Sequence, residues 1–322
     1  MPRKTAASPS LTWVDPVQKF FLGMHRVGKA WRFDRCFISV NQLWDTVAPL
    51  VGCASWVMDS GAFTEVMTYG GYRYGVDRYA EVIRRFSNDR GLEAAVAQDY
   101  MCESEALERT GLTIADHQRL TIERYDALMA CDVGGVTIMP VLQGYDPEDY
   151  ARHVREYGPR LANGAWVGVG SVCKRQGDPE AILAVLEAIL AVRPDLRLHG
   201  FGVKLTALQD ERVAGLLYSA DSMAWSAAAR KRKGDSNSLW VARAYEKAVL
   251  EACGLPMGEW LTSFARDGRI ERFSAGDNEA AGQRREKNAR WNAAWKVIQA
   301  EAAENDRRNL ERAMLGQRVA TI

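Results

Sequence analysis

Short apolar runs recur along the chain, and each ends in Gly, Asp, Asn or Ser. They are 20-FFLGM-24, 37-FISVN-41, 56-WVMDS-60, 94-AAVAQDY-100, 136-VTIMPVLQG-144, 166-WVGVGS-171, 198-LHGFGV-203 and 216-LLYSAD-221. Their apolar positions are nearly continuous, as in strands covered on both faces. Amphipathic helical patterns lie between several of them, at 77–88, 115–131, 147–158 and 179–192. Pro147 and Pro179 stand where a first helical turn tolerates proline, and Gly158 is a stop signal. Eight strands alternating with helices predict an α/β fold, a (β/α)8 barrel of the TIM type. A doubly wound open sheet is the alternative.

The pattern changes near residue 239. The stretch 239–253 reads as a helix that either closes the barrel or begins an appendage, and 254-GLPMGEW-260 reads as a break. A charged helical stretch follows over 279–314, with Trp291 and Trp295 one turn apart. The expected division is therefore a barrel over 1–250 and a helical C-terminal extension over 251–322.

With 47% hydrophobic and 26% charged residues in 322, the composition suits a large core. A net charge of +1 gives no global pull toward nucleic acid or membrane, so a nucleic-acid partner needs a local basic patch. The six cysteines lack metal-ligand spacing and read as reduced thiols of a cytoplasmic protein. No apolar run reaches membrane-spanning length, and the N-terminus lacks the apolar core of a signal peptide.

In a barrel of this type the C-terminal strand ends face the mouth. That rule gathers Asp59, Asp99, Gln143, Gly168 to Ser171, Phe201 to Lys204 and Asp221 on one rim. Each has a plainer role open to it: Asp59 or Asp221 as a helix N-cap, Asp99 as an acid held by loop amides, Gln143 as a satisfied strand-end amide. Together they suit chemistry at a glycosidic carbon, where one carboxylate attacks C1 of a sugar and another moves the proton. The third carboxylate and the glutamine suit the edge of a guanine-like heterocycle, which offers N–H donors beside a carbonyl. The glycines of 166-WVGVGS-171 admit a close backbone approach, and Phe63 and Phe201 can stack on the two faces of a base.

At these residues the chain resembles the tRNA-guanine transglycosylase superfamily, whose barrel exchanges guanine for a 7-deazaguanine through a covalent intermediate. DSGAF at 59–63, QD at 98–99, VLQG at 141–144, VGSV at 169–172, GFGV at 200–203 and DSMAWSAAAR at 221–230 are similar to its motifs in chain order. The resemblance implies that Asp221 is the nucleophile and Asp59 the general acid/base. It also implies that Phe63, Asp99, Gln143, Gly168, Gly170, Phe201 and Gly202 form the base site. The similarity is closer to the DpdA-like branch, DNA transglycosylases that insert 7-deazaguanines into DNA, and it spans roughly 15–250. The zinc-binding Cys-x-Cys-x2-Cys plus His of most tRNA-modifying members has no counterpart after Asp221, where Cys253 alone follows and no His does. No separate RNA-binding domain is apparent. Both points favour DNA over tRNA.

The basic run Arg230, Lys231, Arg232 and Lys233 follows the expected nucleophile, and Lys174, Arg175 and Lys204 follow strand ends. All seven are candidates for phosphate contact, with solvated loops as the plainer reading. Tyr69, Tyr72 and Tyr74 form either a packed lid or a set of stacking rings. The partners expected are DNA (tRNA as the alternative) and a free 7-deazaguanine base such as 7-cyano-7-deazaguanine, with a homodimer or partner protein left open. No cofactor and no metal are expected. A barrel glycoside hydrolase or nucleosidase and a non-enzymatic DNA-binding subunit are the rival classes.

Overall fold

Every one of the eight apolar runs becomes a parallel strand, and the run at 136–144 becomes two. The computed structural model describes residues 17–46, 53–175, 178–231 and 235–256. In chain order the strands are β1 (Lys19–Met24), β2 (Arg35–Ser39), β3 (Ser55–Asp59), β4 (Leu92–Val96), β5 (Ile138–Met139), β6 (Val141–Leu142), β7 (Trp166–Val169), β8 (Arg197–Gly200) and β9 (Ser219–Ser222). Their order in the sheet is β5-β4-β3-β2-β1-β9-β8-β7-β6. All neighbouring pairs run parallel.

The two ends of that order, β5 and β6, are separated in sequence by Pro140 alone. Proline has no N–H to give to a ladder, so regular pairing breaks there. Its carbonyl still serves: Gly168 donates to Pro140 at 2.8 Å, after Ala97 donates to Met139 and before Gly170 donates to Leu142, both at 2.9 Å. The segment is one barrel strand that pairs with β4 along its first half and β7 along its second. The sheet thus comes round on itself as an α/β barrel of the TIM type.

The helices are α1 (Ala62–Tyr69), α2 (Val76–Phe86), α3 (Ser104–Thr110), α4 (Ile114–Met129), α5 (Pro147–Tyr157), α6 (Pro179–Val192), α7 (Leu205–Leu208), α8 (Glu211–Leu216), α9 (Ala224–Lys231) and α10 (Leu239–Ala252). Of these, α2, α4, α5, α6 and α10 follow the sequence pattern. Thr113 and Asp116 form a capping box at α4, and Asp178 caps α6 through the amide of Ala181. None of the described helices is long and apolar enough to cross a membrane. The charged stretch 279–314, Arg232 and Lys233 lie outside the described residues, as does most of the expected extension.

Side-chain parity along the strands decides where the mouth residues point. Phe21, Phe37, Val57, Val96, Met139, Val141 and Trp166 fill the barrel interior. Leu22, Ile38, Met58, Ala95, Leu142, Val167, Leu198 and Ala220 face outward into the layer shared with the helices. Successive side chains alternate, so positions two beyond an interior residue also point inward. That places Ser39 above Phe37, Asp59 above Val57, Gln143 above Val141, and Gly168 and Gly170 above Trp166. Asp221 belongs to the same inward series on β9 as Ser219.

Candidate active site

Asp221 lies near the end of β9, 7% exposed, and its Oδ1 takes two N–H donors. The Gly202 amide donates at 2.9 Å and the His199 Nε2 side at 3.3 Å. His199 is fully buried, with its ring stacked on Phe37 at 5.4 Å. Its Nδ1 is 2.8 Å from Ser219 Oγ, which accepts from Trp166 Nε1 at 2.7 Å. With a neutral ring and Asp221 as acceptor, the protons run Trp166 N–H to Ser219 Oγ, Ser219 O–H to His199 Nδ1, and His199 Nε2–H to Asp221. A thread of side chains through the barrel core therefore orients both the imidazole ring and the carboxylate.

Asp59 ends β3, partly exposed, and accepts from the Gly61 amide at 3.1 Å. Gly61 begins α1 at φ 75°, with the Asn41 amide only 2.6 Å from where a Cβ would stand. A larger residue would strain the turn and strike Asn41. Burial pushes the Asp59 carboxyl up to about 6, and the charge of Asp221 adds to the rise. A carboxyl poised there can both give and take a proton near neutral pH.

Asp99 and Gln143 meet directly. Gln143 Nε2 donates to Asp99 Oδ2 at 2.6 Å, and Ser60 Oγ donates to Oδ1 at 3.2 Å. Burial pushes Asp99 up to about 7; the Gln143 bond opposes this and Asp59 adds to it. Ser171 Oγ donates to Gln143 Oε1 at 3.0 Å. The Gln143 peptide is gripped at both ends: its N–H donates to His153 Nδ1 at 2.9 Å and its C=O accepts from Gln118 Nε2 at 2.6 Å. Burial holds His153 down to about 3, so the ring is neutral and can accept. The site thus pairs an amide donor with a carboxylate acceptor. A base edge carrying N–H beside C=O can replace that contact with two of its own.

The glycines of β7 do something other than expected. A Cβ at Gly168 would lie 2.3 Å from the Phe201 ring, and one at Gly170 would lie 2.2 Å from Gln143 Nε2. The room they leave is filled by those two side chains rather than held open for a ligand. Gly168 and Gly170 both use their amides in the ladder, on Pro140 and Leu142. The Gly170 carbonyl accepts from Tyr150 Oη at 2.7 Å. The backbone of Gly170, expected near a base, is thus engaged within the protein at both its amide and its carbonyl. Gly202, also expected at the base, turns its amide to Asp221, at φ 62°. Ser171, at φ 59°, is the one non-glycine at positive φ among the described residues and lies just past the ladder.

Phe201 is half-buried against Phe37 and His199, with ring centroids at 5.9 and 4.9 Å. Phe63, in the first turn of α1, is 63% exposed. Tyr72 is a buttress: its hydroxyl donates to the Asp99 carbonyl and accepts from the Asp99 amide, both at 2.9 Å. Tyr69 and Tyr74 are exposed around Arg73, which pairs with buried Glu65 at 2.7 Å.

Among the basic candidates, Lys174 is exposed and 3.4 Å from Glu105. Arg175 lies over the Tyr145 ring and bonds its carbonyl. Lys204 is exposed where α7 begins. Arg230 is exposed near His25, whose Nε2 is 2.6 Å from Ser226 Oγ. Lys231 ends α9. His199, His25 and Glu103 carry no role in the sequence reading. The one signal for His199 was its position two residues before Phe201 on a strand, hence the same face.

Residues 18–252 match the model of a family described as DeoxyPurine in DNA protein A, DpdA. None of the curated proteins matches the chain.

Proposed function

The chain belongs to the DpdA family, and from that premise we propose that it is a DNA-guanine transglycosylase that replaces guanine in DNA with a 7-deazaguanine base. The observation that carries the reading is the meeting, at one barrel mouth, of Asp221 held by two N–H donors with the Asp99–Gln143 pair. The first is an arrangement for an oriented nucleophile, the second for a guanine edge.

A guanine flipped out of the duplex enters the mouth. Its N1–H and N2–H go to Asp99, and its O6 takes the Gln143 amide, breaking the contact between those two side chains. The amide of Ser171, the first peptide past the β7 ladder, is assigned as a backbone donor to O6. Phe63 and Phe201 cover the ring faces. Both bonds to Asp221 fall on Oδ1, and Oδ2 attacks C1′. The C1′–N9 bond breaks with its electron pair going to N9, which receives the proton of neutral Asp59. The base leaves and Asp221 remains esterified to deoxyribose. An incoming 7-deazaguanine, 7-cyano-7-deazaguanine in the first instance, gives its N9 proton to Asp59. Its N9 attacks C1′, the C1′–Oδ2 bond breaks, and the carboxylate is restored. The phosphodiester chain is untouched.

Lys174, Arg175, Lys204 and the run Arg230 to Lys233 flank this mouth in sequence and supply phosphate contacts. Exchange of labelled guanine into DNA and into tRNA, each with and without 7-cyano-7-deazaguanine, tests the reading. Turnover on DNA with the modified base found in the digest is expected. Turnover on tRNA alone would transfer the same chemistry to the other polymer. Free base released without replacement would make the chain a glycosidase.

A further inference from the structure

Glu103 is a fourth buried acid at the mouth, and nothing in the exchange just described uses it. It lies just before α3, in the loop after β4, and is 7% exposed. Its Oε2 is enclosed and has no hydrogen-bond partner. Its Oε1 is 4.0 Å from Cys173 Sγ. Cys173 backs onto Gly202, whose missing Cβ would be 3.1 Å from the Cys173 Cβ, and Gly202 holds Asp221. Ser171, bonded to Gln143, flanks Glu103 on the other side. Glu103 therefore sits between the Gln143 end of the site and the Asp221 end. An enclosed carboxyl oxygen without a partner keeps a hydrogen-bonding capacity that a ligand can satisfy.

Resting on the transglycosylase reading, we propose that Glu103 is a specificity-determining residue, which binds the polar substituent at position 7 of the incoming base by donating a hydrogen bond to its nitrile nitrogen. The chemistry of the ring places it there. With Asp99 on N1–H and N2–H and Gln143 with Ser171 on O6, the next ring position past O6 is position 7. The next polar side chain past Ser171 is Glu103. To donate, the acid must be neutral. Burial raises its proton affinity, opposed by its own amide, Lys174 and Ser171 and supported by Glu105. Asp99, Cys102, Cys173 and Tyr150 are further titratable groups that feel its charge. Guanine offers only its ring N7 there, set back from the nitrile nitrogen by the length of the cyano group, so a donor placed for the nitrile favours the incoming base over the outgoing one.

The test measures calorimetric affinities of the whole chain for 7-cyano-7-deazaguanine and for unsubstituted 7-deazaguanine, in wild type, Glu103→Gln and Glu103→Leu. The amide of glutamine keeps a donor, so Glu103→Gln should retain most of the preference for the cyano base. Glu103→Leu should lose it by about tenfold in the ratio of the two affinities, the size expected for one hydrogen bond. Glu103→Met is the substitute if the leucine variant does not fold. A ratio unchanged in the apolar variant, or both bases weakened equally, would overturn the assignment of Glu103 alone. Failure of the wild type to bind either base would overturn the transglycosylase reading as well.

Discussion

At the scale of single residues, the site separates three acids by what surrounds them. Asp221 receives N–H donors, Asp59 faces Asp221, and Asp99 is buried against an amide. Different surroundings for like groups are what the proposed division into nucleophile, acid/base and reader requires. Asp221→Asn keeps the shape and should lower exchange by about 10⁴-fold or more, as loss of a covalent nucleophile does; full activity would remove it from that role. Asp99 carries a different consequence. Its proton is held up to about 7 in the fold, against about 4 in an unfolded chain. Between those values the folded protein binds more protons than the unfolded one, so this group makes stability fall as pH rises. Asp99→Asn should therefore abolish exchange yet melt higher at pH 8, by the equivalent of roughly 2–4 kcal/mol. The advantage should shrink toward pH 5, where the native acid is protonated. Melting curves across pH check this, and a variant less stable at pH 8 would contradict it. The acids were legible in the sequence because each ends an apolar run. Their partners were not. Ser60 to Asp99 spans 39 positions and Cys102 to Ser171 spans 69, and such bonds leave no local pattern.

At the scale of elements, two buried faces made the strands readable, and alternation along them aimed Asp59, Gln143 and Asp221 at one cavity. The long helices were readable from their caps and apolar faces. The shorter α1, α3, α7 and α8 were not, because each has few turns and one side of α1 and α3 belongs to the mouth. Pro140 was visible in the run at 136–144, but its effect needed the ladder: it hands one strand from β4 to β7. The tight fit of β7 against its neighbours yields a second test. Gly168→Ala should push the Phe201 ring, and Gly170→Ala the Gln143 amide. Each should cost about 1–3 kcal/mol in stability through overpacking. Both should reduce exchange more than tenfold with the circular dichroism of the fold retained. Activity at the wild-type level would mean that those side chains need not stand where they do.

At the scale of the molecule, a net charge of +1 leaves DNA binding to a local rim rather than to the whole surface. If Lys174 and Lys204 each hold a phosphate, alanine at either should reduce the slope of log affinity against log salt by about 0.9. Titrations at several salt concentrations read this directly, and unchanged slopes would place the DNA path elsewhere. The barrel alone implies none of this chemistry, since one fold carries many activities; the account stands on what Asp221 does. The most direct measurement quenches the chain during exchange on guanine-containing DNA and digests both protein and DNA. Mass spectrometry then seeks the peptide that carries deoxyribose. The account predicts the adduct on the peptide containing Asp221, and none in Asp221→Asn. An adduct on another residue, or exchange continuing without any adduct, would contradict it.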